Sequence, residues 1–231
     1  METKVKQLIE QGRVFQYRET GLETAPPVIA LHALGQNGEA WNVVAAELGQ
    51  HFRVFALDQR GHGGSERTGV YSFELMRDDL LVFADALGLE RFILIGHSMG
   101  GTVSFLFSEA YPDRVERLVI EDSPPPFRSD KLDIPRDPPA GPLPFDWFVI
   151  PSILRQLNEP DPEWWERLDR IACPTLIIGG GSNSPIPQHK LKEAAGLIPS
   201  GEFVTLEGGG HFVHETKPQE FVAAVRKFLN A

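Results

Sequence analysis

Six short strand-like runs recur along the chain: VIALH (28–32), FRVFALD (52–58), FILIG (92–96), VERLVIED (115–122), PTLIIGG (174–180) and EFVTLEG (202–208). Most are unbroken stretches of branched and aromatic residues, too short for helices and apolar on both faces, so each must be covered from two sides. The segments between most of them carry apolar residues at helical spacing. Trp41, Val44, Ala45 and Leu48 mark a helix over 39–48; Leu75, Leu80, Leu81, Ala84 and Leu87 mark one over 71–87, stopped by Gly88. Further helices are expected over 99–111, closed by Pro112, over 187–198 and over 218–229. Strands alternating with helices imply a parallel sheet between two helical layers. Residues 4–20, broken at Gln11-Gly12, read as an edge hairpin. The expected fold is therefore α/β, a mostly parallel eight-stranded sheet with helices on both faces.

The rhythm breaks after Ser123. Residues 123–161 are rich in proline and poor in periodicity, with short helices expected over 145–157 and 162–171. Phe145, Trp147, Phe148, Ile153, Trp164 and Trp165 need apolar surroundings, so the segment reads as an excursion packed over one edge of the sheet rather than a loose linker. The organisation expected is a single domain over 1–231 carrying a short proline-rich cap at 123–170.

Composition narrows the function classes. The net charge is −10 and the basic residues are scattered, which argues against nucleic-acid or anionic-membrane partners. No run approaches the roughly 20 apolar residues that span a bilayer, and METKVKQLIEQG is too polar for a signal peptide. The chain is expected to be soluble and cytoplasmic, a monomer or homodimer. The single cysteine, Cys173, heads an apolar run and reads as a packing residue.

Chemistry concentrates at FILIGHSMGG (92–101), a strand, a turn with Ser98 at its apex between Gly96 and Gly100, and a helix. A serine on so sharp a strand-to-helix turn is thrust outward as a nucleophile, and side chains at the flanking positions would clash. In open parallel sheets ligands bind beyond the carboxyl ends of the strands. Those ends here hold His32, Asp58 to His62, Ser98, Glu121, Asp122, residues 180–184, and the loop with His211 and His214. Acyl transfer by serine needs such a set: a base, a carboxylate to orient it, and two N–H groups for the oxyanion.

Five segments in order carry a resemblance: LHALGQNGEAW, DQRGHGGS, GHSMGG, PTLIIGG and GGGHFVHETKPQEF. Together they are similar to the oxyanion loop, the Asp-x-Arg-Gly-His-Gly-x-Ser loop, the nucleophile elbow, the late strand and the histidine loop of the α/β-hydrolase superfamily. The likeness covers nearly the whole chain. It implies a serine hydrolase with Ser98 as nucleophile and His211, which follows the glycine-rich turn, as base; His214 is the rival and is expected at a loop cap or the surface. It also implies an oxyanion hole from the backbone N–H groups of Leu34 and Met99, although Ala33 stands where the family usually has glycine. Asp58, Arg60 and His62 are expected to build a turn.

The acid departs from the family pattern. Most members carry it after the seventh strand, but between Ile171 and Gly201 the only carboxylate is Glu193, well inside a helix. A minority carry it after the sixth strand, where this chain has Asp122. Asp122 is the expected acid, with Glu121 as the alternative and a neutral orienter, Ser182 or Asn183, as a third. His32 is expected to brace the oxyanion loop or to line the pocket. His97, Phe127, Trp147, Phe148 and Ile150, with Trp164 beside them, are expected to line a shallow pocket for an uncharged acyl group. The resemblance implies cleavage of a carboxylic ester or lactone through an acyl-enzyme, with neither cofactor nor metal. Cofactor-free C–C bond hydrolysis, proline-iminopeptidase-like cleavage using Asp137, Asp146 or Glu159, and a binding receptor on a hydrolase scaffold are the competing readings.

Overall fold

The computed structural model describes residues 2–230. An antiparallel hairpin, β1 (Lys4–Glu10) and β2 (Arg13–Thr20), leads into six mutually parallel strands: β3 (Pro27–Leu31), β4 (Arg53–Leu57), β5 (Phe92–His97), β6 (Val115–Glu121), β7 (Thr175–Gly179) and β8 (Gly201–Thr205). Their order across the sheet is β1-β2-β4-β3-β5-β6-β7-β8, with β2 antiparallel to β4. Successive residues along each strand serve opposite cores, and residues two apart share one. Ile29, Leu31, Leu94, Leu118 and Ile120 face the layer of α2 (Phe73–Ala86) and α3 (Met99–Ala110). Val28, Ala30, Ile93, Ile95 and Val119 face Trp41, Val44 of α1 (Asn42–Leu48), and Phe221 and Val225 of a C-terminal helix. Each fully buried branched side chain contributes about 1.5–3 kcal/mol, so two filled faces fix the register firmly.

The proline-rich segment forms two short helices, α4 (Val149–Asn158) and α5 (Glu163–Glu166), and a 3₁₀ turn at Leu168–Arg170. Helix α4 begins at Val149, four residues later than its periodicity suggests. Phe145 forms a β-bridge with His62, the Asp146 N–H donates to Gly61 O at 2.6 Å, and the Tyr71 hydroxyl donates to the Asp146 carboxylate at 2.6 Å, pinning these residues to the loop after β4. Helix α5 spans one turn because its Pro162 start and the 3₁₀ turn leave it no further length. The expected helix over 39–48 divides into a 3₁₀ turn at Gly38–Trp41, capped by Asn37, and α1. The chain closes with α6 (Gln188–Leu197), a one-turn α7 (Val213–Thr216) that periodicity did not reveal, and α8 (Pro218–Leu229). Cys173 is buried in the core. Among the described residues, no helix is long and apolar enough to cross a membrane.

Candidate active site

Ser98 joins β5 to α3 with φ 52° and ψ −114°, a conformation that L residues rarely adopt. The turn is crowded enough to dictate its glycines. A Cβ on Gly96 would lie 2.4 Å from Gly100 O, and one on Gly100 would lie 2.4 Å from Leu31 O. Only backbone without side chains allows α3 to start so close to β3 and β5.

Three side chains from distant parts of the chain meet at this turn. His211 Nε2 lies 3.0 Å from Ser98 Oγ, and His211 Nδ1 lies 2.8 Å from Asp122 Oδ2. A carboxylate only accepts, so Nδ1 carries the hydrogen and Nε2 is left as an acceptor for the serine hydroxyl. Asp122 follows β6 directly with φ 43° and is fully buried. Burial alone would push its pKa up; donation from His211, the Ser184 hydroxyl, the Gly180 N–H at 3.0 Å and the Gln188 amide at 3.3 Å outweighs this and holds it below the ordinary value. Ser184 and Gln188 were not singled out from the sequence. Ser182 and Asn183 do not reach the histidine ring; Ser182 N–H instead donates to Glu207. Glu193 pairs with Lys190 on α6, away from the site.

The loop after β3 is held from beneath. His32 is fully buried, where it accepts from Gln59 N–H at Nε2 (2.9 Å) and donates from Nδ1 to Ala33 O (2.8 Å). His62 Nε2 accepts from Gly35 N–H at 3.2 Å. Burial holds both imidazoles neutral, lowering His32 to about 4 and His62 to about 3. Asp58 organises the neighbouring turn, accepting from Gly38 N–H, Gly64 N–H, Gln16 and Arg18. Leu34 and Met99 both border the cavity beside Ser98. Met99 opens α3, where a helix N-terminus leaves N–H groups without intrahelical partners.

That cavity has a volume of about 460 Å³ and a mostly apolar wall. Phe127 lines it as expected, together with Phe73, Pro124 to Pro126, Leu132 and Ile186. The other side chains expected in the pocket wall lie elsewhere. His32 and His97 are fully buried and do not border the cavity, having been drawn into hydrogen bonds behind it. Trp147 and Phe148 line a separate hollow with Arg136 and Arg155. Ile150 is absent from the cavity wall, and Ile153 and Leu157, one helical turn apart, take that place because α4 starts late and turns this face inward. Trp164 packs edge-on against Phe73 at 5.7 Å in the core. With α4 and the proline segment as walls the site is a defined cavity rather than the shallow surface expected.

His214 is neither a cap nor a surface residue. It is 2 % exposed and its Nδ1 donates to Glu121, 2.8 Å from Oε2. The alternative acid and the rival base thus form a pair of their own, away from Ser98.

Against known proteins, a family model described as the alpha/beta hydrolase fold matches residues 26–148. The sn-1-specific diacylglycerol lipase ABHD11 of Mus musculus is 27% identical, covering 90% of this chain and 82% of its own. Esterase YbfF of Escherichia coli is 26% identical, covering 88% of this chain and 93% of its own. A solved hydrolase from Pseudomonas aeruginosa PA01 superposes with a TM-score of 0.85 at 24% identity, covering 99% of both chains. The chain belongs to the α/β-hydrolase fold family.

Proposed function

We propose that this protein is a serine hydrolase that cleaves an uncharged carboxylic ester through an acyl-enzyme, with Ser98 as nucleophile, His211 as base and Asp122 as acid. One observation carries the reading: the continuous chain of hydrogen bonds Ser98 Oγ, His211, Asp122 at 3.0 and 2.8 Å, opening on an apolar cavity. Relatives named as an esterase and a diacylglycerol lipase support ester chemistry.

In this mechanism Ser98 Oγ attacks the ester carbonyl carbon while its proton passes to His211 Nε2. The carbonyl oxygen becomes an oxyanion between the N–H groups of Leu34 and Met99. The C–O bond to the alcohol then breaks, and His211 returns the proton to the departing oxygen. Water, deprotonated by His211, attacks the acyl-serine and releases the acid and Ser98. Asp122 keeps the His211 tautomer throughout and stabilises the transient imidazolium.

The cavity wall speaks for the acyl group. Among the described residues, Asp122 is the only carboxylate bordering it. Asp146, a candidate for holding a substrate amino terminus, is committed to Tyr71 and the Phe148 N–H instead. A peptidase recognising a charged amine is therefore disfavoured, and a neutral acyl chain is favoured. A panel of p-nitrophenyl esters of rising acyl length, with lactones alongside, tests this. Saturable hydrolysis of medium-chain esters, absent in Ser98→Ala, is expected; hydrolysis undiminished in Ser98→Ala would refute it.

A further inference from the structure

Glu121 and Asp122 are consecutive at the end of β6, yet each holds a different histidine of the same loop. Glu121 is fully buried, and its Oε1 accepts from His214 N–H at 2.9 Å while both oxygens face His214 Nδ1 at 2.9 and 2.8 Å. Burying a carboxylate costs several kcal/mol before its partners are counted, so its place here calls for a reason. Trp41 stacks on the His214 ring with centroids 4.4 Å apart, closing the other side.

His97, the last residue of β5, forms the second tie. It is fully buried, and its Nε2 lies 2.7 Å from the main-chain oxygen of His211. A carbonyl only accepts, so Nε2 carries the hydrogen and the buried, unpartnered Nδ1 is the unprotonated nitrogen. His97 and Glu121 are paired across β5 and β6, and each strand continues by one residue into Ser98 and Asp122. The two strands that deliver the nucleophile and the acid therefore also grip the base's main chain, at His211 and three residues beyond.

We propose that His97, through the main-chain oxygen of His211, and Glu121, through His214, are positioning residues that set His211 between Ser98 and Asp122. The inference rests on the triad reading above. Misplacing a reacting group by about 1 Å can cost on the order of 100-fold in rate, and the cavity wall that binds the acyl chain belongs to other segments.

The test compares kcat and KM for a p-nitrophenyl ester in His97→Leu, His97→Gln and Glu121→Gln, with melting temperatures alongside. The expected result for His97→Leu is a kcat at least tenfold lower with KM within about twofold. His97→Gln keeps an N–H donor and is expected to recover most of the rate. A brace of purely structural importance would lower the melting temperature and leave kcat intact. His97→Leu with a kcat within twofold of wild type, or His97→Gln as impaired as His97→Leu, overturns the proposal. Glu121→Gln, which keeps the shape but not the charge, should also lose kcat rather than KM; if it does not fold, the His97 pair still decides. Ser98→Ala run in parallel separates the two claims: activity retained there defeats the triad, whereas a silent Ser98→Ala beside a normal His97→Leu defeats only the brace. The donor atoms of His97, Glu121 and His214 lie within 4.8 Å of one another. Activity lost to EDTA and restored by zinc would assign them to a metal ion and also overturn the proposal.

Discussion

Ser98 and Asp122 stand at the same level of the sheet, each the first residue past the paired strand ends His97 and Glu121, and both have positive φ, 52° and 43°. Neighbouring parallel strands thus present hydroxyl and carboxylate side by side, and the backbone turn at each aims the side chain at His211. Such conformations cost on the order of 1–3 kcal/mol apiece in a residue with a Cβ. Tight surrounding structure has to hold them.

That strain makes Ser98→Gly and Ser98→Ala a matched pair. Both remove the hydroxyl and should abolish ester turnover. Glycine accepts the turn without steric cost, so Ser98→Gly should be the more stable by about 1 kcal/mol, a few degrees in melting temperature for a chain of this size. Equal melting temperatures would mean the turn is not strained.

Asp122→Asn should fold, since asparagine tolerates positive φ and can still accept from Gly180 N–H. It cannot hold the same His211 tautomer. A fall in kcat of about 10⁴, with near-native stability, is expected by analogy with the serine proteases. An unchanged kcat would exclude Asp122 as the acid.

How much of this was legible in the sequence follows from how local each feature is. The elbow was readable because its constraints lie within ten residues: an apolar strand, two obligatory glycines and a helix. Asp122 follows from the family resemblance: the usual position after β7 offers no nearby carboxylate, and the minority position after β6 holds Asp122 next to Glu121. The pairing of Glu121 with His214 joins residues 93 positions apart and depends on loop closure, which no spacing rule reports. The pocket wall was misread because the β-bridge between His62 and Phe145 delays α4, so the periodic residues Ile153 and Leu157 replaced Ile150 and Phe148.

Glu109, in the last turn of α3, is 8 % exposed and its Oε1 has no hydrogen-bond partner. Burial pushes its pKa up to about 8, against the pull of Arg167, Arg170 and Arg77. The folded state then keeps a proton that the unfolded chain loses above about 4.5, so stability should fall as pH rises from there to about 8. Glu109→Gln removes the titration and should raise the melting temperature at pH 8 more than at pH 5. A uniform shift at both pH values would contradict this.

Ile153 and Leu157 face the cavity from one side of α4, so bulk added there shortens the space for an acyl chain. Ile153→Phe should shift preference among p-nitrophenyl esters toward shorter chains, raising KM for long ones with little change for acetate. One methylene is worth about 0.8 kcal/mol of burial, so losing two should cost about tenfold in kcat/KM. An unaltered chain-length profile would place the acyl group elsewhere.

If Ser98 is the nucleophile, activated by His211 and Asp122, it alone should carry the covalent adduct of a serine-directed reagent. Reaction with a fluorophosphonate, followed by intact mass and peptide mapping, locates that adduct. One adduct per chain on the Ser98 peptide is expected, none in Ser98→Ala, and labelling slowed by orders of magnitude in Asp122→Asn. An adduct on another residue, or ester hydrolysis by a chain whose Ser98 remains unlabelled, would contradict it.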